Sequence, residues 1–305
     1  MATIIGMPGC RILAAIAGFL LASGLAGTVM AADTGQIDRG AYLFAAAGCG
    51  YCHTDTKNGG APLAGGRALD TPFGRFYTPN ISADPTSGIG GWSDQEFLQA
   101  LRQGIAPDGS YYYPAFPFTS YTHATDQDLL DIKAYIFSMP VAAAENRPHE
   151  LSFPFGWRAL LAVWRLLNFE PAGFATDASK SEAWNRGGYL VQALGHCQEC
   201  HTPRGMLGGL DEDAAFSGTK EGPDGDTVPN ITPDPDTGIG GWDRDQVARV
   251  LRDGALPDFD YVGGTMAEVV RNSTSRLTPE DRDAIAEYLL ALPAIPNPDA
   301  RATQP

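Results

Sequence analysis

Two five-residue runs carry the chemistry of this sequence: Cys49-Gly50-Tyr51-Cys52-His53 and Cys197-Gln198-Glu199-Cys200-His201. Two thiols within one helical turn can add to the two vinyl groups of a haem, and the adjoining imidazole then falls beneath the iron as proximal ligand. The runs predict two covalently bound haem c groups, with Cys49, Cys52, Cys197 and Cys200 as attachment points and His53 and His201 as metal ligands. Zinc ribbons built from the same C-x-x-C pairs are the competing reading. The immediate histidine after each pair, inside a longer repeat, favours haem. Spacing identifies no glycine-rich phosphate loop, no metalloprotease helix and no nucleophile-base pair.

The elements that must position these runs occur twice. Arg39-Gly40-Ala41-Tyr42-Leu43 stands before the first run and Arg186-Gly187-Gly188-Tyr189-Leu190 before the second, each in an amphipathic helical pattern. The arginine precedes the first cysteine by ten residues in one copy and by eleven in the other. After the first histidine, residues 58–74 are rich in Gly and Pro and predict a loop that wraps a haem edge. Pro79-Asn80-Ile81 with Gly88-Ile89-Gly90-Gly91-Trp92 recurs as Pro229-Asn230-Ile231 with Gly238-Ile239-Gly240-Gly241-Trp242. Each tryptophan opens a helical stretch, with Ser93 and Asp243 as N-caps and Gly104 and Gly254 as C-terminal caps. Trp92 and Trp242 read either as core residues or as indole N–H donors to a haem propionate. A closing helix follows in each copy, from Thr125 to Met139-Pro140 and from Thr278-Pro279 to Leu292-Pro293.

The residues of both halves resemble a duplicated class I cytochrome c fold, and the resemblance implies a mainly α architecture: two tandem class I cytochrome c domains with long haem-wrapping loops, at 33–145 and 182–296, joined by an apolar helical linker at 146–181. In that linker Trp157, Leu160, Leu161, Trp164 and Leu167 follow helical spacing. The stripe reads as an interdomain helix packed over both modules, or as a face for a membrane surface or partner subunit. Residues 297–305 read as a flexible tail. Residues 1–32 have the form of an export signal, with Arg11 ahead of an apolar run from Ile12 to Gly27 and small residues before Asp33, either cleaved or kept as an anchor. Cleavage would remove Cys10 and leave four cysteines, all in the two runs. The expected location is the periplasm, with attachment to the outer face of the inner membrane as a variant.

The chain carries 36 acidic and 21 basic residues, a net charge of −15. That balance repels nucleic acid and anionic lipid, and it either suits a partner with a basic docking face or simply keeps a secreted protein soluble.

With these motifs in both halves, the sequence resembles the cytochrome c subunit family of periplasmic alcohol, gluconate and aldehyde dehydrogenases. The resemblance implies an electron-transfer role from a periplasmic or membrane-associated dehydrogenase towards a cytochrome, quinone or oxidase of the respiratory chain. Several family members carry three such modules; this chain has two. The resemblance also implies Met266 as the sixth ligand of the second haem. In the first half Phe116 and Ala124 stand where relatives place methionine. His123, beside Ala124, is the proposed ligand there, with Met139 and His149 as weaker candidates. His/His ligation would give the first haem the lower potential and make transfer to the second downhill. If nothing binds, the first iron is open, and a dihaem enzyme acting on peroxide or a sulfur compound is the alternative.

Overall fold

Each repeat begins with a helix whose apolar face is covered by the helix that ends the same repeat. The computed structural model describes residues 34–222 and 225–303, together with Thr3. The export signal and Cys10 lie outside the described residues. Helix α1 (Thr34–Ala46) leads into α2 (Cys49–Cys52), followed by strands β1 (Ala68–Thr71) and β2 (Gly74–Tyr77), α3 (Asp94–Gln103), the single turn α4 (Phe118–Tyr121) and the closing helix α5 (Asp126–Ser138). Strand β3 (Glu150–Leu151) and helix α6 (Leu160–Asn168) lead to the second repeat: α7 (Glu182–Tyr189), α8 (Gln198–His201), α9 (Arg244–Asp253), α10 (Gly264–Asn272) and α11 (Pro279–Leu290). Among the described residues no helix is long and apolar enough to cross a membrane.

The glycine of the Arg-Gly-x-Tyr-Leu motif sets the crossing of the leading and closing helices. A Cβ at Gly40 would lie 2.0 Å from the Asp131 carbonyl oxygen of α5, and one at Gly187 would lie 2.0 Å from the Ala284 carbonyl oxygen of α11. Only glycine lets the two backbones touch there. Leu43, Leu129, Ile132 and Ile136 close the core around the first crossing; Leu190, Leu194, Ile285 and Leu289 close it around the second.

The extra residue before the second cysteine run is absorbed locally. Residues Leu190–Leu194 form a π-helical turn at the end of α7, closed by Gly195 N–H donating to the Leu190 carbonyl at 2.6 Å. A π turn accommodates one inserted residue without changing the helix axis, so Cys49 and Cys197 are presented alike. The cap signals also appear as read. Ser93 and Asp243 each complete a capping box, with Glu96 and Gln246, and Gly104 and Gly254 end α3 and α9 at φ of 61° and 79°.

Three features differ from expectation. The stretch 58–74 is not wholly loop: β1, β2 and β3 make an antiparallel sheet in that order, with Leu69 opposite Phe76 and Gly74 opposite Leu151. The linker helix begins only at Leu160, and its stripe is divided. Leu161 is buried and Trp164 packs edge-on against Phe118 of the first repeat while its indole N–H donates to the Leu207 carbonyl of the second at 2.9 Å. Trp157, Leu160, Val163, Leu166 and Leu167 face outward. The tail is fastened through residue 303: the Ala300 carbonyl accepts from Asn230 N–H at 2.6 Å and Ala302 N–H donates to the Thr237 carbonyl.

The two repeats interlock through the tyrosines of their shared motif. Tyr42 of α1 donates to Asp281 Oδ2 at 2.5 Å and accepts from Thr278 N–H, at the N-terminus of the other repeat's closing helix. Reciprocally, Tyr189 of α7 donates to Asp128 Oδ2 at 2.5 Å and accepts from Thr125 N–H. Burial pushes the Asp281 carboxyl up, but bonds from Arg186 and Tyr42 outweigh it and hold the group below the ordinary carboxylate range. A depressed folded-state value means that this latch stabilises fully above the unfolded pKa of about 3.9 and weakens as pH falls through the folded value. Asp281→Asn should therefore flatten the acid limb of the stability-versus-pH curve; a limb unchanged in denaturant titrations from about pH 6 to pH 3 would refute this assignment.

Candidate functional site

The residues of the two cysteine runs adopt one local geometry. Each run starts after a residue in the left-handed region, Gly48 at φ 64° and His196 at φ 40°, so the chain turns sharply between the leading helix and the first cysteine. In each run the histidine's Nδ1 lies 2.8 Å from a carbonyl oxygen, Pro79 for His53 and Pro229 for His201. A carbonyl can only accept, so Nδ1 carries the proton and the Nε2 lone pair is left free to bind a metal. Holding the second ring nitrogen in this way fixes the tautomer and orientation of a ligating imidazole. Burial keeps both rings neutral, outweighing the opposite pull of the carbonyls.

Asparagine explains why the proline carbonyls stay in place. Asn80 and Asn230 are almost wholly buried. The Asn80 amide donates to the Ala142 carbonyl at 2.6 Å, the Asn230 amide to the Ile295 carbonyl at 2.8 Å, and each side-chain oxygen accepts from the backbone two residues on, Ser82 or Thr232. The Pro-Asn-Ile loop is thus pinned to the segment after each closing helix. The motif is plain in the sequence but this role is not; the signal for it is identical placement in both copies.

The thiols are partly buried, and loss of water pushes Cys49 and Cys197 up to about 12 and Cys200 to about 11. Two thiols within one turn, a neutral imidazole with a free Nε2 and a fixed second nitrogen form a donor set that fits covalently held haem in both repeats.

Both attachment runs are tied down by contacts across the interface between repeats. Glu199, inside the second run, accepts from Thr119 Oγ1 at 2.6 Å and Ser120 Oγ at 3.2 Å on α4 of the first repeat. Arg67 of the first repeat donates to the Tyr51 carbonyl, inside the first run, and to Glu268 Oε2 of α10 at 2.5 Å. Each run is therefore tied to the segment that follows the α3-type helix in the opposite repeat. The ring of His196 stands edge-on to Tyr121 at 5.9 Å, so it faces the other repeat.

The remaining residues singled out by sequence fall in different places. Met266 lies in the first turn of α10, partly buried. Trp92 packs on the core, and its carbonyl accepts from Lys133 Nζ at 2.8 Å. Trp242 does not have its indole N–H available for a propionate: it donates to the Thr303 carbonyl at 2.8 Å, because the fastened tail passes over it. His123 lines a groove with Arg102, Asp128, Phe174, Arg186 and Tyr189; none of Cys49, Cys52 or His53 lines that groove. His149 stands edge-on to both Phe76 and Tyr113, and its Nδ1 accepts from Tyr77 N–H at 3.2 Å.

A mostly helical fold built twice around C-x-x-C-H runs, each with a carbonyl-held histidine, defines a dihaem cytochrome. The cytochrome c family model matches residues 37–140 and 185–293, and the chain belongs to that family. It is 44% identical over 265 residues to a diheme cytochrome c-type protein of Cereibacter sphaeroides, covering 86% of this chain and 88% of that one. It is 38% identical over 270 residues to the fructose dehydrogenase cytochrome subunit of Gluconobacter japonicus, and 38% over 273 residues to the gluconate 2-dehydrogenase cytochrome c subunit of Pantoea cypripedii. Those alignments cover 88% and 86% of this chain but only 54% and 61% of the two subunits. The protein is a haem-binding electron-transfer protein with two covalently bound haem c groups.

Proposed function

We propose that this chain is an exported electron carrier that accepts electrons from a dehydrogenase and passes them towards the respiratory chain. The observation that carries the reading is the pair of equivalent C-x-x-C-H runs, each histidine held alike by a proline carbonyl at 2.8 Å, with Glu199 of the second run bonded to Thr119 and Ser120 of the first repeat. Relatives named as cytochrome subunits of fructose, alcohol and gluconate dehydrogenases support a dehydrogenase as donor. The bound haems supply one-electron redox chemistry.

The chain's own part is positional. Cys49, Cys52, Cys197 and Cys200 anchor, His53 and His201 present Nε2, and the Pro79 and Pro229 carbonyls hold those rings. With haem bound, Met266 would offer its thioether as a ligand in the second repeat, and the Trp92 indole N–H would be the donor to a propionate in the first. The reciprocal Arg67–Glu268 and Glu199–Thr119 contacts keep the two attachment sites at fixed separation, so little rearrangement accompanies a change of charge. The periplasm is the compartment that fits the leader sequence and covalent haem attachment.

The purified full-length holoprotein should be reversibly reduced and reoxidised while consuming no alcohol, sugar or gluconate by itself. Turnover of such a substrate by the chain alone would overturn the proposal.

A further inference from the structure

We propose that the haem of the first repeat binds a small neutral diatomic ligand in the coordination position where the second repeat presents Met266. The inference rests on the reading of Met266 as the second haem's sixth ligand. The register between the repeats is fixed by a shared backbone turn: Ile105 bridges Tyr111 as Ala255 bridges Tyr261. Beyond it, Tyr112 N–H donates to the Gly104 carbonyl and Val262 N–H to the Gly254 carbonyl, both at 2.9 Å. Four residues further on stand Phe116 and Met266. A phenyl ring has no lone pair to give a metal.

The other candidate ligands that the sequence offers for the first haem are committed elsewhere. Ala124 is buried and ends in a methyl group. Its neighbour His123 turns into the groove beside Arg102, Phe174 and Tyr189, and its carbonyl accepts from Phe174 N–H. Met139-Pro140 occupies the place held by Leu292-Pro293 in the second repeat, the end of the closing helix, where an apolar packing residue is what both copies use. His149 fails on tautomer: its Nδ1 accepts a hydrogen bond from Tyr77 N–H, so in the neutral ring Nε2 carries the proton. His53 and His201 are held with the opposite polarity, as a metal ligand requires.

The surroundings of Phe116 select the ligand class. Its ring lies 5.4 Å from Tyr112, 5.8 Å from Tyr121 and 6.4 Å from Phe118. The Tyr121 hydroxyl is engaged, donating to the Ala47 carbonyl at 3.2 Å. Splitting peroxide calls for a polar distal face that can deliver protons, whereas an aromatic face suits neutral ligands such as carbon monoxide or nitric oxide. Binding adds a neutral ligand and transfers no electron.

Carbon monoxide titration of the chemically reduced, full-length holoprotein tests this by absorbance. The expected stoichiometry is one molecule per chain, unchanged in His123→Ala. Phe116→Met, or Ala124→Met as a second variant of the same idea, should lower the apparent affinity about tenfold or more, because an internal ligand that fills the site nine-tenths of the time leaves a tenth competent. No uptake by the unsubstituted protein, or uptake that appears only in His123→Ala, would overturn the proposal. Uptake of two molecules would leave the first site open as proposed and overturn the reading of Met266.

Discussion

Met266→Ala is expected to lower the potential of one haem and leave the other nearly unchanged. A soft thioether favours the reduced iron, and axial ligands tune haem potentials over roughly 0.8 V, so its loss should amount to on the order of a hundred millivolts. The residue lies in the first turn of α10, whose Glu268 is gripped by Arg67 of the opposite repeat at 2.5 Å. That grip places the sulfur by contacts from both repeats, so Arg67→Ala should reproduce part of the shift without touching the ligand. Potentiometry with near-infrared magnetic circular dichroism checks both: the signature of methionine ligation should vanish in Met266→Ala and weaken in Arg67→Ala. Unchanged potentials in Met266→Ala would remove this residue from the iron.

Gly40→Ala and Gly187→Ala should each destabilise the protein by about 3 kcal/mol, the usual upper range for forcing extra atoms into a packed core. The added carbon would stand 2.0 Å from a carbonyl oxygen of the closing helix, and backbone cannot step aside as a flexible side chain can. Alanine's better helix propensity returns at most about 1 kcal/mol, which is too little to reverse the sign. Thermal unfolding of the holoprotein should show a fall of roughly 6–12 °C. A change within a degree would mean that the leading and closing helices do not meet at these glycines.

What the sequence made legible was local. Cysteine runs, N-cap residues and cap glycines act within a few residues of themselves, and Ser93, Asp243, Gly104 and Gly254 take the roles read from their types. The hidden features join distant residues. Tyr42 meets Asp281 and Arg67 meets Glu268 across more than two hundred positions, and no spacing rule announces such pairs. Trp242 was ambiguous because its partner, the Thr303 carbonyl, lies on a tail whose composition reads as unstructured. The strand pairing of 68–77 with Glu150 and Leu151 was obscured by glycine and proline, which mark turns but say nothing of what pairs between them. One mismatch was informative in itself: the spacing of ten against eleven residues before the cysteines corresponds to the π turn at Leu190–Leu194.

The central claim is that two unlike haems in one chain pass electrons in sequence. An optical redox titration of the full-length oxidised holoprotein tests it most directly. Two reversible one-electron steps at separate potentials, the higher one shifted down in Met266→Ala, are the predicted result; a single unresolved step unaffected by that substitution would contradict it.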